Sequence, residues 1–204
     1  MPAHDPAALS KKDRYRLLIG AVVPRPIAWI TTLGATGTVN LAPFSFFNGV
    51  AAHPMVVSVA IAHRDPLKDT LANLRARREA VVHLAPPELV AAVHQSGADY
   101  PSDVSEAAVL GLVLIPSTLV APPRLAAAPI ALECRFLSET PVGDPATALC
   151  LLEVVHVHVA DAVADADGMP DPRRLRAPAR LGDRCYLDGS QWPVVDFPPQ
   201  QVPR

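Results

Sequence analysis

The sequence predicts a mainly β protein, an antiparallel barrel of short strands with a few covering helices. Three observations point to it. Valine-rich apolar runs of strand length recur at residues 55–61, 80–84 and from 130 onward, and they are too short for typical helices. Turn chemistry separates extended segments, most clearly at Gly34, Ala35, Thr36 and Gly37. Only two or three short stretches carry helical signals, so the alternation of strand and helix that builds a parallel sheet is missing.

The elements follow in order. Ser10, with Asp13 three residues later, is a capping-type start for a short helix ending at Gly20. Residues 27–33 are β-branched, aromatic or apolar, and 38–41 resume an extended pattern after the glycine turn, which makes a β-hairpin. The run 55–61 is a strand. Asp69 and Thr70 are placed to cap a helix over 71–79, and 80–84 is the next strand. ELVAAVHQ at 88–95 reads as a second short helix before Gly97, followed by the polar loop SGADYPSDVSE. Strand signals return at 109–115, 130–140 and 147–164, the last long enough to require a bend or bulge. The 23 prolines crowd into 121–129 and the tail from 193, which reads as extended, packed backbone.

Composition bounds the function. A chain of 204 residues, half of them hydrophobic and 19% charged, suits one well-buried domain. A net charge of −2 gives no footprint for nucleic acid, and the basic clusters at 11–16 and 75–78 read as solvated helix faces. No apolar run is long enough to span a membrane, and the first residues lack a secretion signal, so a cytoplasmic protein is expected. Cys134, Cys150 and Cys185 have no CxxC spacing and read as buried thiols. There is no GxGxxG, GxxxxGK[ST], HExxH or GxSxG.

Several residues remain as carriers of chemistry. Arg64, Lys68, Asp69 and Thr70 gather at a helix start, where free N–H groups, a partial positive charge and added cations suit a phosphate. NLAPFSFF at 40–47 sets Phe44, Phe46 and Phe47 around Ser45, although the chain has only five Phe. His156 and His158 share one side of a strand, but a third metal ligand is not evident and no metal is expected; for His158 a solvated face is favoured. Thr31 and Thr32 direct one hydroxyl inward and one outward. A phosphorylated flat ligand fits the basic cluster beside an aromatic loop, and these residues alone do not separate FMN from pyridoxal phosphate.

RPIAWITT at 25–32, NLAPFSFFNGV at 40–50, KDTLANLR at 68–75, PPRLAAAPIALEC at 122–134 and LLEVVHVHV at 151–159 resemble, in order, the signatures of the flavin reductase-like family of FMN-binding split-barrel proteins. The resemblance covers residues 23–184 and is nearest to flavoredoxin-like proteins and to reductase components of two-component flavin monooxygenases. It implies a six-stranded antiparallel Greek-key split barrel that dimerises and holds FMN near the subunit interface. It divides the chain into an N-terminal helical segment (1–22), the barrel (23–190) and a proline-rich tail (191–204), where Trp192 or Phe197 would pack on the barrel or the partner subunit.

The resemblance further implies that Thr31, Thr32 and the segment holding Asn40, Ala42, Pro43, Ser45 and Phe46 line the flavin ring and ribityl chain. Arg64, Lys68 and Thr70 would take the phosphate, and His156 would stand near the flavin or nicotinamide as a positioning residue. Ser45 and Phe46 are expected to form the flavin wall, with Phe44 and Phe47 given to packing. The activity implied is NAD(P)H-dependent flavin reduction, with electrons passed to a flavin-dependent monooxygenase or another acceptor. The alternative is an FMN-binding carrier or sensor that does not use NAD(P)H. His83 departs from the pattern, since the family more usually has asparagine there.

Overall fold

The computed structural model describes residues 1–189; Trp192, Phe197 and the rest of the tail lie outside the described residues. Helix α1 (Lys11–Ala21) begins as its sequence requires, the Ser10 hydroxyl accepting from the Asp13 N–H at 3.1 Å. The main sheet then has seven strands: β1 (Ala28–Leu33), β2 (Val39–Phe44), β3 (Phe47–Ala52), β4 (Met55–Ala62), β5 (Glu79–Leu84), β6 (Ile130–Val142) and β7 (Thr147–Val159). Their order is β2-β1-β5-β6-β7-β4-β3, with every neighbour antiparallel. The class is the split barrel expected, with seven strands in place of six. Segment 47–52 carries Asn48-Gly49 and little strand propensity, yet it pairs with β4, Phe47 opposite Val59 and Ala52 opposite Met55.

The two edge strands β2 and β3 are consecutive in the chain and share no ladder among the described residues. Ser45 and Phe46 cross between them, the Phe46 carbonyl accepting from the Ala60 N–H at 2.8 Å. That split in the barrel wall is where the candidate site lies.

Strand β1 explains its own apolar run. Ala28 and Ile30 enter the barrel core with Val57, Val59, Leu71, Val82 and Leu152, while Ile27 and Trp29 belong to a second cluster on the opposite face. Short helices cover that face: α3 (Val90–Gln95) and α4 (Glu106–Val109). Trp29 Nε1 donates to Ser96 Oγ at 2.9 Å, satisfying the one polar atom such a burial brings in.

The strand expected over 109–115 is corrected. Residues 106–109 are helical and Gly111 takes φ 66°, a left-handed position that ends the turn, so only Leu114–Ile115 remains extended and pairs with Arg124–Leu125. The bulge expected in the long strand is present in β7 at Val155, between Val154 and His156, and a second register shift, at Leu151 and Leu152, leaves Leu137 of β6 as the extra residue. Cys134 and Cys150 are buried as expected, but Cys185 is exposed.

The basic run 75–78 is exposed, as expected of a solvated face, and its arginines are also bonded to the barrel. Helix α2 (Asp69–Arg77) ends there. Arg77 Nε donates to the Gly34 carbonyl at 3.0 Å, Arg78 donates to the Phe136 carbonyl at 2.6 Å, and Arg75 pairs with Glu139. No helix among the described residues is long and apolar enough to cross a membrane.

Candidate functional site

The site starts at the N-terminus of α2. Asp69 and Thr70 do not cap the helix as expected. The cap position is Lys68, no side chain bonds the first turn, and the first intrahelical bond runs from the Leu71 N–H to the Lys68 carbonyl. The N–H groups of Asp69 and Thr70 therefore have no acceptor among the described residues, the arrangement that suits an anion.

The side chains around this helix start close a small hollow. It is lined by Asn40, Ala42, Pro43 and Phe44 from β2, by Arg64, Lys68, Asp69 and Thr70, and by Ser96, Gly97, Ala98, Asp99, Tyr100 and Glu106. Asn40 Nδ2 donates to Thr70 Oγ1 at 2.9 Å and to Thr32 Oγ1 at 3.1 Å, and Asn73 Nδ2 donates to Thr32 at 3.0 Å. These bonds fasten the helix start to β1 and β2.

Two cations approach the hollow in different states. Arg64 is committed, donating to Asp99 Oδ1 at 2.5 Å, and that bond raises its pKa further. Lys68 makes no hydrogen bond or ion pair among the described residues; its Nζ stands 6.0 Å from the centroid of the Phe44 ring. Burial, then the neighbouring Arg64, lowers its pKa. A half-buried ammonium without a partner is a standing invitation to an anion.

Beyond Pro43, Phe44 and Lys68 the hollow continues into a groove of about 520 Å³, within the range of small-molecule sites. Its walls include Tyr15 of α1, Ser45, Phe46, His63 and Ala146. Ser45 and Phe46 also line a smaller, mostly apolar hollow against Leu18, Val22 and Arg25. Phe46 is 37% exposed, with the Arg25 guanidinium 5.9 Å from its ring centroid, whereas Phe44 is buried in the core and Phe47 packs against it.

Asn40, Ala42, Pro43, Ser45, Phe46, Arg64, Lys68 and Thr70 are thus brought to one continuous surface. Thr31 and Thr32 are not. Both are fully buried, the Thr31 hydroxyl donating to the Pro123 carbonyl at 2.6 Å while Thr32 accepts from Asn40 and Asn73, so they stand behind the wall.

His156 is also elsewhere. Only residues 147–153 of β7 pair with β4, and His156 lies beyond that ladder, opposite Glu133. It lines none of the three hollows; its ring meets that of His158 at 4.7 Å. His158 is not on a solvated face, since its Nε2 sits 2.6 Å from the fully buried Glu133 carboxylate. Glu133 also accepts from the N–H groups of Thr118 and Leu119. Burial pushes the Glu133 carboxyl up, but the His158 ring and these two N–H groups outweigh it and hold the pKa down to about 2.

Sequence reasoning missed Glu106, Asp99, Gly97 and His63. Glu106 is buried, accepts from the Leu41 N–H at 2.7 Å, and burial raises its pKa. Gly97 sits in a tight place: a Cβ there would meet Pro43 Cγ at 3.2 Å and the His94 carbonyl at 3.3 Å, so a neighbour would have to give by a few tenths of an ångström. The first three fall in the loop read only as polar, and no local pattern marks them.

The match to known families decides the kinship. A family model described as the flavin reductase like domain matches residues 19–177. The chain belongs to the flavin reductase-like family. An uncharacterized protein of Halalkalibacterium halodurans is 40% identical over 188 residues, covering 89% of this chain and 90% of that one. The nitrilotriacetate monooxygenase component B of Bacillus cereus superposes with a TM-score of 0.88 at 33% identity, over 95% of this chain and 98% of its own. The 2-nitrobenzoate 2-nitroreductase of Pseudomonas fluorescens gives 0.87 at 28% identity, over 97% of each. This family member has the same wall-and-helix architecture as those barrels along nearly its whole length.

Proposed function

We propose that the chain is an NAD(P)H-dependent flavin reductase that holds FMN in the cleft at the barrel split. One observation carries the reading: an uncapped helix start and a Lys68 without a partner among the described residues open directly onto a groove walled by Phe46 and Ser45. FMN has a flat apolar ring with polar edges and an anionic tail, and the residues present fit both ends.

Lys68 and the Asp69 and Thr70 N–H groups would hold the phosphate. Arg64 joins them by exchanging Asp99 for the phosphate. Phe46 flanks the ring and excludes water. The Ser45 hydroxyl, free of any bond within the described chain, is available to a polar ring edge. FMN, when bound, supplies the hydride-accepting centre. The protein's part is then to position the two rings, and no side chain has to act as acid or base.

The likeness to a monooxygenase component B supports delivery of reduced flavin to a monooxygenase. A homodimer is supported by the exposed Tyr15, Leu18, Val22 and Phe46, apolar side chains that line the groove and the hollow beside it. Use of a nicotinamide pool implies a cytoplasmic location.

The test is the visible spectrum of the purified protein titrated with FMN, then with NADH or NADPH without oxygen. Loss of the oxidised flavin band is expected. Failure to bind FMN ends the proposal; binding without bleaching favours the carrier or sensor.

A further inference from the structure

His63 follows the last residue of β4 and is fixed in place by an arrangement that nothing in the proposed reaction explains. Its backbone N–H donates to the Ala146 carbonyl at 3.0 Å. Its ring Nε2 lies 3.2 Å from Nη2 of Arg75, on α2. Arg75 is in turn held by Glu139 of β6, with Nη2 to Oε1 at 2.7 Å and Nε to the two carboxylate oxygens at 3.1 and 3.2 Å. A guanidinium in this two-pronged grip has little freedom.

The chemistry of that contact assigns the ring's proton. Arginine has only donors, so Nε2 of His63 must accept. A neutral imidazole that accepts at Nε2 carries its hydrogen on Nδ1. A doubly protonated ring would set N–H against N–H, so the arrangement holds only for the neutral ring. Nδ1 has no partner among the described residues, and His63 lines the groove together with Lys68, Ser45 and Phe46. The fold has thus prepared a directed, uncharged donor in the groove that Lys68 also lines.

We propose that His63 is a binding residue of this cleft, its Nδ1–H donating to a phosphate oxygen of the ligand, with Arg75 and Glu139 as positioning residues that act through it. The inference rests on the flavin reading above and deepens it. Lys68 offers a point charge without direction, and His63 adds one oriented bond beside it. Its substrate consequence is selectivity: a phosphorylated flavin is preferred over the same ring without phosphate.

The experiment compares FMN with riboflavin, which lacks the phosphate, by flavin fluorescence titration of the full chain. His63→Ala is expected to raise the FMN dissociation constant about ten-fold, the scale of a bond to a charged group, and to leave riboflavin unchanged. Two further variants separate the ring nitrogens. His63→Asn places an amide N–H near the Nδ1 position and is expected to retain FMN affinity. His63→Gln places its amide toward Arg75, where its oxygen accepts, and is expected to behave as His63→Ala.

Thermal melts establish that the variants fold, and should His63→Ala not fold, the Asn and Gln pair still decides. Equal losses for FMN and riboflavin overturn the proposal, as does an unchanged FMN constant, or equal behaviour of Asn and Gln. A wild-type chain that binds no FMN overturns the flavin reading and this inference together. A wild type that binds FMN while the variants fail these expectations overturns the inference alone.

Discussion

Asn40 donates to Thr70 across 2.9 Å, and through that bond the edge strand β2 holds the first turn of α2 against the barrel. The same amide nitrogen donates to Thr32, so one side chain ties two strands and a helix at the point where the anion hollow opens. The anion site is therefore built before any anion arrives, which is how a cleft avoids the ordering cost of assembling itself around a ligand.

Asn40→Ala is expected to lower stability by about 1–3 kcal/mol, the cost of leaving buried hydroxyls without their donor. Urea denaturation measures it. Since the helix start is released, FMN affinity should fall as well, and a variant with wild-type stability and affinity would show that Thr70 is positioned by the helix alone.

Lys68→Ala is expected to weaken FMN binding by about 1.5–3 kcal/mol, ten-fold or more, if the ammonium bonds the phosphate, since among the described residues the side chain has no hydrogen bond or ion pair within 4 Å to lose. Riboflavin should bind both proteins alike. An unchanged FMN constant removes Lys68 from the phosphate end.

His83 predicts acid lability. Its Nδ1–H donates to the Trp29 carbonyl at 2.8 Å and its Nε2 accepts from the Leu125 N–H at 3.0 Å, which fixes a neutral ring in full burial. Burial lowers its pKa from 6.5 to about 4. Between those values the unfolded chain binds the extra proton and the folded one does not, so stability falls as pH drops through this window. The loss is about 3 kcal/mol by pH 4. His83→Asn, the residue more usual in the resembling family, should flatten that slope, as denaturation from pH 4 to 7 would reveal.

The strands were legible where valine dominates, in 55–61 and 80–84, because burial on a pleated sheet needs no partner information to be recognised. The run 109–115 misled because the left-handed turn at Gly111 depends on packing of residues 106–109 over β2. At the site, Lys68, Thr70, Ser45 and Phe46 stand in short motifs and were readable. The fate of the Thr31 and Thr32 hydroxyls was not, since their partners, Pro123 and Asn73, lie far along the chain. His63 was invisible for the same reason: its meaning comes from Arg75 and Glu139, on two other elements.

Glu106 opposes the ligand that the rest of the hollow invites. Its carboxylate lines the anion site, accepts from the Leu41 N–H, and is pushed toward protonation chiefly by burial, with Asp69 adding to the effect. Arg64, Lys68, Asp69 and Asp99 are the other charges lining the hollow. Because the folded-state pKa is raised, the carboxyl's contribution to stability is complete below its unfolded pKa and is lost as pH rises through the folded value. Glu106→Gln keeps an oxygen for Leu41 and removes the charge. The variant is expected to gain stability over wild type as pH rises toward neutrality, and to bind FMN more tightly at pH 7 by about 1 kcal/mol, roughly five-fold. At acidic pH, with Glu106 protonated in both the free and bound protein, the two should bind alike. A Gln variant that binds FMN more weakly than wild type at neutral pH would mean that the carboxylate serves the ligand through a donor rather than repelling it.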